Sequence, residues 1–116
     1  MSRERAAERI GHMIDAIAEI GEFTAGMNRN GFLADARTIK AVAADLSIIG
    51  EAARHVADAI ALAHPEIPWA LMRGMRNRIV HAYYQLDPAV VWDTAQNDLP
   101  QLLPLLRALR DELRGA

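Results

Sequence analysis

Apolar residues recur along the chain at helical spacing, and one of these patterns is especially regular. Its members are separated by alternating steps of three and four residues: Ile39, Val42, Leu46, Ile49, Ala53, Val56 and Ile60. Alternating steps of this kind place the side chains on one face of an α-helix, as in the seam of a coiled coil. Such a face has to be buried against other helices, so the pattern predicts a helical bundle.

Turn-forming residues mark the ends of the first two predicted helices. The first helix should stop near Asn28, because the segment from Asn28 to Gly31 has the composition of a turn. The second helix should begin with Asp35 as its N-cap. It should continue to His64, since the residue before Pro65 avoids helical geometry.

Prolines mark the two remaining helices. The third should begin at Pro68, where the missing N–H costs nothing, and run to about Tyr83 or Tyr84. Asp87 should cap the fourth, with Pro88 in its first turn.

Two further prolines, Pro100 and Pro104, lie inside the fourth helix and predict a kink or restart at Asn97–Asp98. No segment carries a strand signal. The predicted fold is therefore all-α, an up-and-down bundle of four to five helices in a single domain spanning residues 1–116.

Composition narrows the class of protein and the kinds of site it can hold. The chain is 52% apolar and 5% aromatic, a profile that suits closely packed helices. The absence of cysteine excludes disulfides, thiolate metal sites and a cysteine nucleophile. The N-terminal residues are charged, unlike a signal peptide, and no apolar run approaches the roughly 18 residues needed to span a bilayer. We therefore expect a soluble, cytoplasmic protein.

A local basic island interrupts a chain whose net charge is −2. Residues 67–86 contain no Asp or Glu but include Arg73, Arg76, Arg78 and His81. Guanidinium groups bind phosphate bidentately, and imidazole moves protons near neutral pH. The net charge argues against a protein that coats duplex nucleic acid, but it is compatible with a small basic cleft for a phosphate-bearing ligand.

The island carries an R-x4-H-x-Y motif formed by Arg76, His81 and Tyr83. Four further runs accompany the motif in order along the chain: Leu46–Ala52, Pro65–Trp69, Gly74–Asn77, and Val91–Asp93 leading to Asn97–Pro100. In these runs the chain resembles the HepT family of toxins, a branch of the HEPN superfamily of small helical ribonucleases. The resemblance covers nearly the whole chain and implies a HEPN-like helical domain.

The resemblance implies metal-independent cleavage of RNA. His81 would act as general base on the ribose 2′-hydroxyl or as general acid on the leaving 5′-oxygen. Arg76 would hold the scissile phosphate and offset the charge that builds on its oxygens. Asn77 would fix a phosphate oxygen or orient the imidazole, while Arg73 and Arg78 would widen the RNA-binding surface through phosphate contacts.

The spacing of the motif residues bears on how the site is assembled. On one ideal helix, Arg76 and Tyr83 would share a face because they are seven residues apart. Arg76 and His81 would be separated by about 140° around the axis. Arg76 must then curl around, the helix must loosen near His81, or another chain must complete the site. The third option fits the family, in which two protomers bring their motifs together, so we expect a homodimer.

Residues outside the motif have weaker signals. Glu51 is a landmark of the family that could support Arg76 from the second helix, and a solvated charge on the helix face is an equally good interpretation. No cofactor is predicted. The remaining histidines, His12, His55 and His64, show no paired ligand spacing, which argues against a metal site.

Tyr83 has a second role that the resemblance implies. HepT toxins are encoded beside a minimal nucleotidyltransferase antitoxin, MntA, which adenylylates the tyrosine of this motif. Each AMP would place a phosphodiester charge and an adenosine beside the catalytic groups and so block the phosphate site. Tyr84 lies outside the motif and is the competing acceptor.

A function of a different class is also open. The chain could be a non-catalytic helical partner, or scaffold subunit, of a minimal nucleotidyltransferase. A scaffold, however, needs none of Arg76, Asn77, His81 and Tyr83. A protein that merely binds nucleotide should have a glycine-rich phosphate loop, and the sequence has none.

Overall fold

The computed structural model describes residues 2–80 and 85–115, and the regular structure in this part of the chain is helical. In chain order the helices are α1 (Arg3–Thr24), α2 (Arg29–Leu33), α3 (Ala36–Arg54), α4 (Asp58–Ala63), α5 (Trp69–Arg73), α6 (Met75–Ile79), α7 (Pro88–Asp93) and α8 (Leu99–Leu113). A π-helical turn, Thr94–Asp98, joins α7 to α8. The predicted all-α fold is confirmed.

The long helix α1 lies between α3 and α8 and packs along both of them. The short helices α5, α6 and α7 pack on α3, on the side that carries Gly50. One continuous core results, and its fully buried side chains include Ile10, Met13 and Ile20 of α1, Leu46 and Ile49 of α3, and Leu99, Leu102 and Leu106 of α8. Leu46 and Ile49 belong to the alternating apolar pattern read from the sequence, so that pattern does contribute to the core.

Two predicted helix starts are confirmed by their caps. The Asp35 carboxylate accepts a hydrogen bond from the backbone N–H of Thr38 at 3.1 Å and caps α3. That backbone hydrogen bond holds the pKa of Asp35 below its ordinary value. The Asp87 carboxylate accepts in the same way from the N–H of Val90 at 3.4 Å and caps α7.

The predicted second helix is not continuous. The expectation of one helix from Asp35 to His64 is wrong, because α3 ends at Arg54 and α4 begins only at Asp58. The carbonyls of Ala53 and Val56 accept hydrogen bonds from the Arg73 guanidinium, at 3.2 and 3.3 Å. A side chain from elsewhere in the fold thus satisfies the end of α3, in place of a further helical turn.

The predicted third helix is also shorter than expected. It divides at Gly74 into α5 and α6, and α6 ends at Ile79, so the expectation of a helix reaching Tyr83 or Tyr84 is wrong. The carbonyl of Ile79 accepts from the N–H of Asp87 at 2.8 Å, and Val80 pairs with Leu86 in an isolated antiparallel bridge. These pairings replace the helical hydrogen bonds that would have continued α6.

The first helix ends at Thr24, earlier than the predicted stop near Asn28. Gly26 follows with a positive φ of 76°, a conformation that only glycine adopts readily. Asn28 then accepts a hydrogen bond from the N–H of Gly31 at 2.8 Å and caps α2, a short helix in place of the expected turn. Phe32 of α2 contacts Trp92 of α7, with ring centroids 5.1 Å apart.

The irregularity predicted at Asn97–Asp98 is present as the π-helical turn Thr94–Asp98. The buried residues Val91, Ala95 and Leu99 are spaced four residues apart. Because an α-helix has 3.6 residues per turn, two such steps would turn the buried side chains progressively away from the core. The wider turn absorbs the additional residue, so that α7 and α8 both face the core.

Candidate functional site

The predicted catalytic arginine belongs to α6, which is held against α3 at Gly50. A Cβ atom on Gly50 would lie 3.2 Å from the carbonyl oxygen of Met72 and 3.7 Å from the backbone nitrogen of Arg76. The backbone of α5 and α6 therefore crosses α3 in direct contact, and a side chain at residue 50 would make this contact tighter than most Cβ contacts in proteins. Gly50 fixes the point on the bundle from which Arg76 projects.

Arg76 and Asn77 are exposed on the outer face of α6, whereas Met75 and Ile79 on its inner face are buried. Within residues 2–80 and 85–115, no hydrogen bond or ion pair engages the guanidinium of Arg76 or the amide of Asn77. Both groups can therefore meet a ligand without first breaking a contact in that part of the protein.

His81 and Tyr83, the other members of the motif, lie outside the described residues, and so does Tyr84. Their distances from Arg76 stay predictions. The expected angles between the motif residues depended on an unbroken helix through residue 83, and that premise is wrong. Since α6 ends at Ile79 and Val80 is extended, helical spacing does not relate Arg76 to either His81 or Tyr83.

Arg73 is engaged in the fold. Besides donating to the carbonyls of Ala53 and Val56, its guanidinium lies 3.8 Å from the Asp58 carboxylate and 5.9 Å from the ring centroid of Trp69. The predicted role of Arg73 in RNA binding is untested. Its contacts show that the side chain fastens α5 to the end of α3.

Arg78 and Glu51 each contact another ionisable side chain of the fold. Arg78 contacts the Asp98 carboxylate at 2.9 Å, and its side chain is 43% exposed. Glu51 pairs with His55, one turn later on α3, at 2.9 Å, and both side chains are exposed. Within the described ranges, no hydrogen bond or ion pair joins Glu51 to Arg76, and Glu51 lies on the exposed face of α3.

The basic island is therefore less basic in three dimensions than in the sequence. Asp58 lies beside Arg73 and Asp98 beside Arg78, although neither carboxylate belongs to residues 67–86. Of the three arginines, Arg76 has the guanidinium that remains unengaged among the described residues. Within this part of the protein the donors of Arg76 are therefore available to an anionic group.

Asp45 on α3 has a buried carboxyl group, and it was not among the site residues predicted from the sequence. It is 5% exposed, and burial together with a hydrogen bond to Glu19 and the charge of that residue raises the pKa of Asp45 to about 7. Its position in the sequence is a usable signal, because Asp45 directly precedes Leu46 of the apolar seam. It therefore lies at the edge of the buried face.

Other classes of site find little support in the described part of the chain. No group of three or more His, Asp or Glu side chains there could hold a metal ion. None of the helices described is both long and apolar enough to cross a membrane. A cleft of about 500 Å³ lies between the end of α1 and the start of α8, lined by residues such as Thr24, Gln96 and Leu103, and none of the predicted site residues that the structure describes lines it.

Comparison with known proteins places these features in a family. The family described as Ribonuclease HepT-like matches residues 13–109, a range that contains every predicted site residue. The chain belongs to the HepT-like ribonuclease family. No solved structure matches it.

Curated relatives of this HepT-like chain are named as ribonucleases. It is 41% identical over 96 residues to "Probable ribonuclease HepT" of Thermococcus cleftensis, an alignment that covers 83% of this chain and 87% of the relative. It is 27% identical over 103 residues to "Putative RNase MJ0127" of Methanocaldococcus jannaschii, covering 89% of this chain and 85% of the relative. The likeness therefore extends over whole domains.

Proposed function

We propose that this chain is a metal-independent endoribonuclease and the toxin of a type VII toxin–antitoxin pair. The observation that carries the proposal is the outward-facing Arg76, whose guanidinium is unengaged in the described part of a HepT-like ribonuclease. An exposed arginine without a carboxylate partner is well suited to hold a phosphodiester. Asn77, beside it, adds an amide donor on the same exposed surface.

In the proposed reaction, the ribose 2′-oxygen attacks phosphorus and the bond from phosphorus to the 5′-oxygen breaks. His81 takes the proton from the 2′-hydroxyl or gives a proton to the departing 5′-oxygen. Arg76 binds the non-bridging oxygens, on which negative charge increases in the transition state. The products are a 2′,3′-cyclic phosphate and a 5′-hydroxyl, and DNA is not cut because it lacks the attacking hydroxyl.

The proposed site is shared between the two protomers of a homodimer, with Arg76 from one and His81 from the other. The exposure of Arg76, with its guanidinium turned away from the core, supports a site that faces another molecule. Arg78 would contact the RNA backbone beside it, since its side chain is 43% exposed even when paired to Asp98. Arg73 would act mainly by positioning α5, because its donors are already used.

Control of the activity would come from a cognate MntA-type nucleotidyltransferase that transfers AMP to Tyr83. The tyrosine hydroxyl attacks the α-phosphate of ATP and pyrophosphate leaves, so that a phosphodiester is formed on the ring. Tyr83 is two residues from His81 in the sequence, so the added charge would lie close to the phosphate site and repel RNA.

The first test is the pair of variants Arg76→Ala and His81→Ala, assayed on single-stranded RNA. Each should lower the cleavage rate by at least about a hundredfold, since each removes a group used only in the transition state. Arg29→Ala, at the exposed start of α2, is the control and should leave the activity unchanged, because it removes a guanidinium that lies outside the basic island. Normal cleavage by Arg76→Ala would refute the proposal and favour the scaffold function.

Mixing the two inactive variants tests the shared site. A mixed dimer holds one site with both Arg76 and His81 intact, and random exchange of subunits makes half of the dimers mixed. About a quarter of the wild-type activity should therefore return if the site spans two protomers. No recovery, with subunit exchange verified by mass spectrometry, would show that one protomer supplies both residues.

A further inference from the structure

The cleft between the end of α1 and the start of α8 has the size and the lining of a small-molecule site. Its volume of about 500 Å³ lies in the range of ligand pockets, and most of its wall is apolar, with side chains such as Ile17, Met27 and Leu103. Among the described residues that line it, none is charged and none is aromatic. The polar groups of the cleft therefore have to come from uncharged side chains and from the backbone.

Gly21 opens the α1 side of this cleft. It lies inside the helix, where glycine costs roughly 1 kcal/mol relative to alanine. A Cβ atom at this position would meet nothing within 4 Å, and the backbone does not have a positive φ, so neither packing nor conformation requires glycine here. The missing side chain leaves the backbone of α1 accessible from the cleft.

The backbone at the end of α1 offers hydrogen-bond acceptors. In an unbroken helix the N–H of Ala25 would donate to the carbonyl of Gly21, but it donates to the carbonyl of Glu22 instead, at 3.4 Å. The last turn of α1 contains no basic residue, so no side chain of the helix offsets the partial negative charge of its final carbonyls. The cleft thus begins at a helix end that favours donors and positive charge.

Two prolines add acceptors on the opposite wall. Pro100 has no N–H to give to the carbonyl of Gln96, and Pro104 has none to give to the carbonyl of Pro100. Gln96 and Pro100 both line the cleft. The side-chain amide of Gln96 donates to Oγ1 of Thr24 at 3.5 Å, which joins the two walls. Carbonyl groups that lack their usual helical donors therefore lie on both sides of the cleft.

The class of ligand follows from these groups. An anion is disfavoured, because the described lining holds no cationic side chain and a helix C-terminus repels negative charge. A nucleobase would lack the aromatic or guanidinium group on which such rings stack. A primary ammonium supplies three N–H donors together with a positive charge, so it matches a set of carbonyl acceptors.

We propose that this cleft binds a small primary amine with an apolar body. The ammonium group donates to the carbonyls at the end of α1 and at the π-helical turn, and the body covers Ile17, Met27 and Leu103. None of the predicted site residues that the structure describes lines the cleft. The inference is therefore independent of the proposed ribonuclease function, which stands whether or not an amine binds here.

Titration with phenethylamine, followed by NMR of the isotope-labelled chain, tests the site. Saturable shifts at Gly21 and Gln96 are expected, with a dissociation constant of roughly 1–10 mM for a ligand of this size. Phenethyl alcohol has a similar shape without the charge and should bind at least about tenfold more weakly. Binding of the amine that does not saturate, or equal affinity for the alcohol, would overturn the inference.

A pair of glycine variants locates the binding site on α1. Gly21→Leu places a side chain in the cleft without a clash at its Cβ atom, and should weaken binding of phenethylamine at least about tenfold. Gly11→Leu is the matched control, because Gly11 has the same open space on the same helix but does not line the cleft, so affinity should be unchanged. Equal affinity of the two variants would place the amine elsewhere and refute the proposal.

Pro104→Ala tests the role of the carbonyl acceptors. Residue 104 does not line the cleft, but alanine there supplies an N–H to the carbonyl of Pro100 and competes with the ligand for this acceptor. The affinity for phenethylamine should fall by about threefold to tenfold, while that for phenethyl alcohol stays the same. An equal change for both compounds would show that the carbonyl does not recognise the ammonium group and would contradict the proposed mode of binding.

Discussion

The side chains of Arg54 and Arg73 each donate a hydrogen bond to the backbone at the C-terminal end of the other's helix, in an exchange between α3 and α5. Nε of Arg54 donates to the carbonyl of Arg73 at 3.1 Å, and Nε of Arg73 donates to the carbonyl of Ala53 at 3.2 Å. Each helix thus has its C-terminal carbonyls, which carry partial negative charge, satisfied by a guanidinium from the other. The exchange fixes α5 on α3 and with it the start of α6, which bears Arg76.

Replacing Arg73 should therefore cost stability. Arg73→Ala removes the donor to the carbonyl of Val56 and one of the donors to the carbonyl of Ala53, and we expect the free energy of unfolding to fall by roughly 1–3 kcal/mol. Urea denaturation followed by circular dichroism measures the change. Arg29→Ala, at the exposed start of α2, should be neutral by comparison. An Arg73→Ala protein of unchanged stability but weakened RNA binding would point to the ligand role instead.

The contact at Gly50 should not tolerate a side chain. In Gly50→Ala the new Cβ would lie 3.2 Å from the carbonyl of Met72, a strain that outweighs the gain in helix propensity of up to about 1 kcal/mol. We expect a net loss of roughly 1 kcal/mol in the free energy of unfolding. Gly11→Ala is the control, because nothing lies within 4 Å of a Cβ there, and it should stabilise α1. Equal stabilisation by both substitutions would contradict the close approach of α5 to α3.

The raised pKa of Asp45 makes stability depend on pH. Its folded value of about 7 exceeds the ordinary 3.8, so between these values the folded chain binds a proton that the unfolded chain has released. Stability therefore falls as the pH rises through this window. Asp45→Asn should be more stable than wild type at pH 8, by roughly 1–4 kcal/mol, and nearly equal to it at pH 4.

The free energy of unfolding of the wild type and of Asp45→Asn is measured by denaturation at a series of pH values, at nanomolar protein concentration. His12, Asp15 and Glu19 face Asp45 from α1 and are present in both proteins, so the difference between the two reports the change made at residue 45. A difference that does not vary with pH would mean that Asp45 ionises normally.

Cleavage should not require a metal ion. The proposed chemistry uses Arg76 and His81 alone, so RNase activity should be the same in millimolar EDTA as in added magnesium, within about twofold. Cleavage products resolved on a gel, and tested for a 2′,3′-cyclic phosphate end, check both the rate and the mechanism. Loss of activity in EDTA that returns on adding a divalent ion would refute the mechanism.

Tyr83→Phe should resist neutralisation by the nucleotidyltransferase. The substitution removes the acceptor oxygen and keeps the ring, so RNA cleavage and folding should persist while AMP transfer is lost. Intact-mass measurement after incubation with the partner enzyme and ATP shows whether AMP has been added. Tyr84→Phe is the matched control and should still be modified. AMP found on Tyr84 would show that Tyr84 is the acceptor and that the assignment to Tyr83 is wrong.

Local signals in the sequence were enough to predict where several helices start. Asp35 and Asp87 cap α3 and α7 through hydrogen bonds to N–H groups three residues later, an interaction that depends only on neighbouring residues. The alternating apolar pattern from Ile39 onward predicted the buried face of α3 for the same reason. The outward position of Arg76 follows from burial of its neighbours Met75 and Ile79.

Helix ends set by distant residues could not be predicted in this way. Nothing near Arg54 in the sequence breaks a helix, and the carbonyls at the end of α3 are satisfied by Arg73, about twenty residues away. The pairing of Arg78 with Asp98 is equally remote, so the basic island seemed stronger in sequence than it is in space. Such contacts exist only once the bundle has formed.

The π-helical turn Thr94–Asp98 determines how far α7 is rotated about the helix axis relative to α8. Removing one residue from it would leave a helix that is locally sound but turn α7 by about 100° relative to α8. Val91 would then no longer be buried in the core. Asp87, which precedes α7 and is hydrogen-bonded to Ile79 of α6, would rotate together with α7. The alignment of the motif-bearing segment with the bundle thus depends on the residue count of one turn that contributes no predicted site residue.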